Sequence, residues 1–344
     1  MDQNIILLFG GESDERLVSV ASAQAMAQAL GEPTIWFWSK AGDVYLVDFN
    51  ELINHKDAFT QEFIPHKHPQ FSSVAQAIAS PESAGCTFVL ALHGGSGEDG
   101  TVQALFEKYG RAYTGSDAQS SKRAFDKIAT KNWLKNFNIT MAPQIILNPD
   151  SVREELSKFL AEHGEIIVKP ICGGSSLGGL YFIRSHDQVA LVAEHVSKSP
   201  AHSFFAEKII HGRELTVGVI ESAGAPISLP PTEIIIQKDR NFDYEGKYLG
   251  QGTNEITPAD MSESATREAQ RLAVAAHVAL KLDGYSRSDM ILAPDGLYYL
   301  ETNTLPGLTK ESLVPQQLAA LHITLREFLA TQVRLAQERL RINY

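Results

Sequence analysis

The chain has 344 residues, of which 44% are hydrophobic, 21% charged and 8% aromatic, and 30 basic against 41 acidic side chains leave a net charge of −11. That balance describes an ordinary soluble globular protein of two or three domains. It excludes a general nucleic-acid or membrane-surface binder, which needs a basic footprint. Two cysteines, Cys86 and Cys172, are too few for a disulfide scaffold or a thiolate metal site, which fits a reducing, cytoplasmic compartment. No apolar run is long enough to span a membrane, and the N-terminal run Asn4 to Phe9 is too short for a signal sequence.

Asn4 to Phe9 is continuously apolar and ends in Gly10-Gly11, the pattern of a buried parallel strand entering a tight turn. A helix is predicted over about Val18 to Leu30, then strands at Thr34 to Trp38 and Val44 to Val47. The stretch from Asn50 to Gln70 carries His55, His66 and His68 without zinc-like spacing, and reads as a surface insertion. Cys86 to Leu92 is a second buried strand. It runs into His93-Gly-Gly-Ser-Gly-Glu-Asp-Gly100, with a helix from about Thr101. Strands alternating with helices through glycine-rich turns predict an α/β domain whose ligands sit at the carboxyl ends of its strands.

After Tyr113-Thr-Gly-Ser116 the organisation changes. Helices are predicted over Asp126 to Phe137, Val152 to His163 and Gln188 to Ser197. Strands are predicted at Gln144 to Leu147, Ile166 to Lys169, Leu180 to Ile183 and Ser203 to Lys208. A third unit follows, with strands at Glu214 to Ile220 and Ile227 to Ile236, a polar loop over 237–252, and a helix over Glu263 to Leu280. In that helix Leu272, Ala276 and Ala279-Leu280 form an apolar stripe. A last helix spans about Leu325 to Leu340, with Arg and Glu suited to a solvated face.

Between those helices lies a β-hairpin signal: Ser286 to Leu292, the turn Ala293-Pro-Asp-Gly296, and Leu297 to Asn303. Alternation puts Arg287 and Asp289 on one face of the first strand and Glu301 and Asn303 on one face of the second. If the two faces coincide, an arginine, two carboxylates and a carboxamide converge. Oxygen ligands without cysteine or histidine suit Mg²⁺, which shares its shell with water and substrate phosphates. The plainer reading is an edge hairpin with solvated charges. A phosphate grip is offered by Gly173-Gly-Ser-Ser-Leu-Gly-Gly179, which joins strand to strand and lets backbone N–H groups approach phosphate oxygens. It is neither a Walker loop nor a dinucleotide fingerprint. Lys169 precedes it, and Glu207-Lys208 ends a later strand.

The order Lys127, Lys169, glycine-rich β-turn-β, Glu207-Lys208, Glu214, Asp289, Glu301, Asn303 resembles the ATP-grasp enzymes, and more narrowly the D-alanine:D-alanine ligase family. Five segments carry the likeness in order: Gly10 to Ser19, His93 to Gly100, Lys169 to Gly178, Asp243-Tyr-Glu-Gly-Lys-Tyr248, and Arg287 to Leu313. The resemblance implies an α/β and α+β, ATP-grasp fold. An N-terminal parallel-sheet domain (1–115) precedes two α+β lobes that clasp ATP (116–208 and 209–344). It implies ligation of two D-alanines through a D-alanyl phosphate, for peptidoglycan synthesis, in a cytoplasmic homodimer.

By the same resemblance Lys127, Lys169, Ser175 and Ser176 hold ATP phosphates, Glu207 and Lys208 lie near the adenine, and Glu214 meets the ribose. Asp289, Glu301 and Asn303 hold two Mg²⁺, for which Mn²⁺ can substitute, and a monovalent cation is a further candidate. Glu15 binds the first D-alanine's ammonium and His93 lies beside that substrate. For a lone histidine between an apolar strand and glycines, a structural cap is the alternative. Arg287 and the Gly307 N–H stabilise the oxyanion. Lys247 serves a phosphate and the second substrate's carboxylate, which Ser312 also binds, with Leu313 against the methyl. Ser175 and Tyr248 hydrogen-bond with Glu15, and 237–252 forms the lid.

Glu311, beside Ser312, and Ile171-Cys172, before the phosphate loop, depart from the expected pattern. Rival expectations are a sister ligase taking D-serine or D-lactate second, and a non-catalytic ATP-binding protein. A nicotinamide dehydrogenase is disfavoured, because the first strand is not followed by Gly-x-Gly-x-x-Gly.

Overall fold

The N-terminal apolar run forms β1 (Ile5–Gly10), every residue of it buried. A computed structural model of the chain describes residues 4–173, 179–199, 203–222, 224–236 and 253–343. After β1 come α1 (Arg16–Leu30), β2 (Thr34–Trp38), β3 (Val44–Val47), α2 (Phe49–Ile53), α3 (Val74–Ala79), β4 (Thr87–Leu92), α4 (Thr101–Lys108) and β5 (Ala112–Tyr113). The sheet order is β3-β2-β1-β4-β5. β1 pairs in parallel with β2 and β4, and β3 is antiparallel to β2. Strand order therefore reverses at β1, and the Gly10-Gly11 and His93-Gly94 turns both leave carboxyl ends at that switch point, where open α/β sheets bind ligands. Gly10 has φ +96°, and a Cβ there would lie 2.2 Å from the Trp38 carbonyl, so the turn admits only glycine.

The insertion at 50–70 is docked rather than loose. Phe63 packs edge-on against Phe9 and Phe37, and Gln24 Nε2 donates to the carbonyls of Leu52 at 2.9 Å and His55 at 2.7 Å.

The central lobe contains α5 (Ala118–Phe125), α6 (Lys127–Leu134), β6 (Gln144–Ile146), α7 (Val152–His163), β7 (Ile166–Pro170), β8 (Tyr181–Ile183), α8 (His186–Ser197) and β9 (Phe204–Lys208). Its antiparallel sheet has the order β6-β9-β7-β8. Leu156 and Phe159 of α7 and Val189 and Val192 of α8 pack with Ile166, Val168 and Ala206 on one sheet face. Alternation leaves Lys169 and Glu207 on the other. The sequence predicts one helix from Asp126; α5 before it is an addition. Its run Ala-Gln-Ser-Ser-Lys-Arg-Ala-Phe has weak apolar periodicity, and it is fixed by the Asp117 carboxylate accepting from the Ser120 N–H at 2.6 Å. Asp126 caps α6 in the same way through the Ala129 N–H at 2.8 Å.

The third unit contains β10 (Arg213–Ser222), β11 (Ala225–Ser228), β12 (Thr232–Ile236), β13 (Thr253–Ile256), α9 (Glu263–Ala279), β14 (Tyr285–Ala293), β15 (Gly296–Asn303), α10 (Leu313–Ala320) and α11 (Leu325–Asn343). The main sheet order is β13-β12-β10-β14-β15, all antiparallel, and β11 pairs with β10. The single strand predicted over Ile227 to Ile236 is two. Pro230-Pro231 between them lack the N–H groups a ladder needs.

α9 covers one sheet face. Ala269 and Ala273 pack on Leu215, Val217, Val219 and Met290, while the predicted stripe of Leu272, Ala276, Ala279 and Leu280 meets Leu134 and Tyr299. The last helix returns to the first domain. Phe328, Leu329 and Val333 of α11 join the N-terminal core, and Arg339 donates to the carbonyls of Gly115 at 2.6 Å and Tyr113 at 2.8 Å. α10 packs against the opposite sheet face at β10. There the fully buried Gln317 donates to the Thr216 carbonyl at 3.0 Å and accepts from the Gly218 N–H at 2.9 Å. Gln317→Ala should cost about 2–3 kcal/mol, because it strands buried backbone groups of the central strand. Urea unfolding against wild type checks this, and an unchanged midpoint would mean that water replaces the amide.

Candidate active site

The hairpin predicted around Pro294-Asp295 places its polar residues in register. Arg287 pairs with Asn303 and Asp289 with Glu301, and an irregularity follows between Asp289 and Met290. All four side chains share the sheet face opposite α9. Two carboxylates directly across a hairpin repel one another unless countered. Arg287 supplies part of the answer with two bonds to Asp289, Nε to Oδ1 and Nη2 to Oδ2, each 2.9 Å. Thr216 Oγ1 donates to the same Oδ1 at 2.5 Å. Lys127 Nζ stands 3.3 Å from Glu301 Oε2.

Among the described residues no group of three His, Cys, Asp or Glu side chains gathers into a metal site by itself. The set Asp289, Glu301 and Asn303 fits a hard divalent ion differently. It offers protein oxygens from one rigid face and leaves the rest of the shell to phosphate and water.

The central lobe brings the lysines. Glu207 is 2% exposed and lies between Lys131, hydrogen-bonded to Oε1, and Lys169, 3.0 Å from Oε2. Burial alone would raise the Glu207 carboxyl, but Lys169 and Lys131 outweigh it and hold it below its ordinary value. Burial likewise works against the Lys169 ammonium, yet the fields of Glu207, Glu301 and Glu214 raise it. Lys169 is thus in electrostatic reach of both lobes. Glu214 lies on the site face of β10, two residues before Thr216. Lys208 follows Glu207 on the opposite face of β9. The cations Lys127, Lys131, Lys169 and Arg287 are matched one for one by Glu207, Glu214, Asp289 and Glu301.

The N-terminal domain supplies the third wall. Glu15 ends the loop before α1, and a Cβ at Gly94 (φ +64°) would lie 2.6 Å from its Oε2, so that close approach requires glycine. His93 is buried, with Nε2 3.0 Å from Ser22 Oγ. Burial lowers its pKa to about 4, against a hydrogen bond to Leu305 and with the help of Arg287, so the ring is neutral. Burial and the neighbouring Glu15 push Glu98 up to about 7, against hydrogen bonds from the N–H groups of Gly94 and Leu305 and the pull of Arg287. Gly307 is buried where a Cβ would come 2.9 Å from Ser312 Oγ. Ser312 Oγ also meets Thr309 Oγ1 at 2.7 Å, and Leu313 starts α10 as a buried residue. Lys310 and Glu311 are exposed.

The structure therefore gathers Glu15, His93, Lys127, Lys169, Glu207, Glu214, Arg287, Asp289, Glu301, Asn303, Gly307, Ser312 and Leu313 around one cleft. Ser175, Ser176, Lys247 and Tyr248 lie outside the described residues. Sequence reasoning missed Lys131, Glu98, Thr216 and Gln317. Lys131 had a legible signal, since it sits one helical turn beyond Lys127. Glu98 stands inside the His93 to Gly100 motif but carries no signal of its own, and the other two are marked only by tertiary contacts.

A four-stranded antiparallel lobe and a larger antiparallel lobe, facing each other across lysines and carboxylates, make this an ATP-grasp fold. Family models described as D-ala D-ala ligase N-terminus and D-ala D-ala ligase C-terminus match residues 4–116 and 133–333. A D-alanine--D-alanine ligase of Desulfotalea psychrophila is 32% identical over 339 residues, covering 97% of this chain and 95% of that one. The chain belongs to the D-alanine–D-alanine ligase family. Among solved structures, the D-alanine-D-alanine ligase from Coxiella burnetii matches with a TM-score of 0.79 at 24% identity, over 98% of this chain and 95% of that one. The Bacillus anthracis D-alanine--D-alanine ligase complexed with ATP matches with a TM-score of 0.72 at 25% identity over 100% of both chains.

Lys131→Met should destabilise the protein by about 3 kcal/mol, since Glu207 keeps only one cation in a buried site. Lys131→Met/Glu207→Gln should lose less than the sum of the single losses. Unfolding the four proteins in urea measures the coupling, and additive losses would disprove it. His93 gives a pH prediction. Its folded pKa is lowered, so the unfolded chain binds a proton first, and stability falls as pH drops from 6.5 through about 4. His93→Gln cannot titrate and should lose less stability than wild type across that window, as thermal unfolding at stepped pH would register.

Proposed function

We propose that the chain joins two D-alanines into D-alanyl-D-alanine at the expense of ATP, supplying a peptidoglycan precursor in the cytoplasm. The observation that carries this is the cross-strand set of Arg287, Asp289, Glu301 and Asn303 facing Lys127 and Lys169 across the cleft, in a chain of this family.

A carboxylate is a poor electrophile until phosphorylation gives it a leaving group. Lys127 and Lys169 draw the ATP phosphates into the cleft and offset charge on the moving γ-phosphate. Ser175 and Ser176 contribute to the same grip, Glu214 takes the ribose, and Glu207 serves the adenine end, with the Lys208 side chain turned to the other face of β9. Asp289, Glu301 and Asn303 would hold Mg²⁺, which supplies Lewis-acid neutralisation of the phosphates when bound. Glu15 orients the first D-alanine by its ammonium, aiming its carboxylate at the γ-phosphorus; a carboxylate oxygen bonds to phosphorus as the bridging P–O bond breaks, and ADP leaves with that electron pair. The amine of the second D-alanine then attacks the acyl phosphate carbon. Arg287 and the Gly307 N–H stabilise the resulting oxyanion; phosphate leaves with the bonding pair, and the amine nitrogen gives up a proton to the departing phosphate. Lys247, Ser312 and Leu313 define the second substrate by carboxylate and methyl. Tyr248 and Ser175 close over the site and keep water from the acyl phosphate. We further propose that the protein works as a homodimer.

The test is ATP- and Mg²⁺-dependent phosphate release with D-alanine, run beside L-alanine, D-serine and D-alanine plus D-lactate, with product mass recorded. D-alanine alone should release phosphate and yield the dipeptide mass. Silence with every substrate despite ATP binding would overturn the reading. Arg287→Lys should lower kcat by about 100-fold, since the planar fork and a fixed oxyanion donor are lost together. A change confined to KM would move Arg287 out of that role.

A further inference from the structure

The segment Thr304 to Thr309 joins Asn303 at the end of β15 to the loop before α10, and it contains Gly307. It has no regular secondary structure, yet all six residues are buried. A buried loop must find partners for its backbone groups, and here the partners come from another domain.

The Leu305 peptide unit lies close enough to act on the ionisation of both groups, its N–H favouring the Glu98 carboxylate and its carbonyl favouring a proton on the His93 ring. Glu98 is itself anchored by the Gly94 N–H at 3.0 Å. His93 Nε2 lies 3.0 Å from Ser22 Oγ, and the Leu308 N–H points at that same hydroxyl at 3.4 Å. A neutral imidazole has one donor and one acceptor. With Nε2 accepting from Ser22, the single ring N–H is on Nδ1, and the Ser22 hydroxyl stands between the ring and the Leu308 N–H. The residues on either side of the Pro306-Gly307 pair are thus tied to α1 and to the turn after β4. Leu305 and Leu308 side chains reinforce this by joining the N-terminal core.

We propose that Ser22 and His93 are positioning residues that moor the Thr304–Thr309 segment and thereby aim the Gly307 N–H, with His93 acting through the loop rather than on the substrate. The consequence for turnover rests on the role given to Gly307 above; the mooring itself does not. An oxyanion donor works by being fixed before charge develops, and a displacement of about 1 Å near reacting atoms is worth about 100-fold in rate. Loss of the mooring should therefore appear in kcat, while ATP binding, which uses the other two lobes, stays as it was.

The experiment compares wild type, His93→Ala, His93→Gln and Ser22→Ala, each first shown to be folded by thermal unfolding. Steady-state kinetics with D-alanine, calorimetric binding of Mg-ATP alone, and hydrogen exchange of the 304–309 amides are measured on all four. His93→Ala should lose about 100-fold in kcat, with KM for D-alanine and ATP affinity within about threefold of wild type. His93→Gln, whose amide keeps one donor and one acceptor, should recover most of the loss. Ser22→Ala should fall between them. The Leu305 and Leu308 amides should exchange faster in His93→Ala and Ser22→Ala than in His93→Gln.

A raised KM with kcat intact in His93→Ala would make His93 a substrate contact and overturn the proposal. So would a glutamine variant as slow as the alanine one, which would assign the chemistry to the imidazole itself. If wild type makes no dipeptide, the functional reading fails separately, and exchange decides the mooring: equal protection in all four proteins would refute it.

Discussion

Asp289 and Glu301 sit directly opposite each other on a hairpin, and a pair of like charges in that position is unfavourable without cations around it. The rest of the site is arranged about that constraint. Arg287, two residues from Asp289 on the same strand, grips it with both arms of its guanidinium. Lys127 reaches Glu301 from the central lobe. Each carboxylate thereby has a cation beside it on a rigid surface, an arrangement that suits a hard metal ion shared with phosphate oxygens.

Charge matching continues one layer back. Glu207 belongs to the central lobe and is buried between Lys131 and Lys169, so neither lysine is left as a lone charge out of water. That arrangement costs desolvation and is justified by what it holds in place. Lys169 stays protonated in an enclosed site, within the fields of Glu214 and Glu301 from the opposite lobe. The two lobes therefore communicate through charge as well as through packing, and a substrate carrying phosphates enters a cleft whose cations are already balanced and fixed.

The N-terminal domain contributes more than a platform for Glu15. Its switch-point turns reach across to an irregular buried segment of the third unit and satisfy that segment's backbone. The last helix then returns to the N-terminal core, so the chain is tied together at both ends of the cleft. Domain docking and the geometry of the Gly307 peptide are one structural question in this protein.

Much of this was legible in the residues alone. The apolar runs before Gly10 and His93, the Asp-Gly hairpin turn and the period-two alternation of Arg287, Asp289, Glu301 and Asn303 are local properties, and local rules placed them correctly. The polar helix α5 escaped because its apolar spacing is weak and its cap is a single aspartate. The division of one expected strand into β11 and β12 follows from Pro230-Pro231, which cannot donate to a ladder. Lys131, Glu98 and Gln317 could not be ranked above other polar residues, because their meaning comes from partners at large sequence separation: Glu207, Leu305 and Gly218. His93 shows the boundary. The sequence by itself determined that a histidine stands after a buried strand and before glycines, beside a substrate site by resemblance. Only the tertiary structure decided what its two ring nitrogens face, because hydrogen-bond partners drawn from another domain are set by packing and leave no periodic trace in the chain.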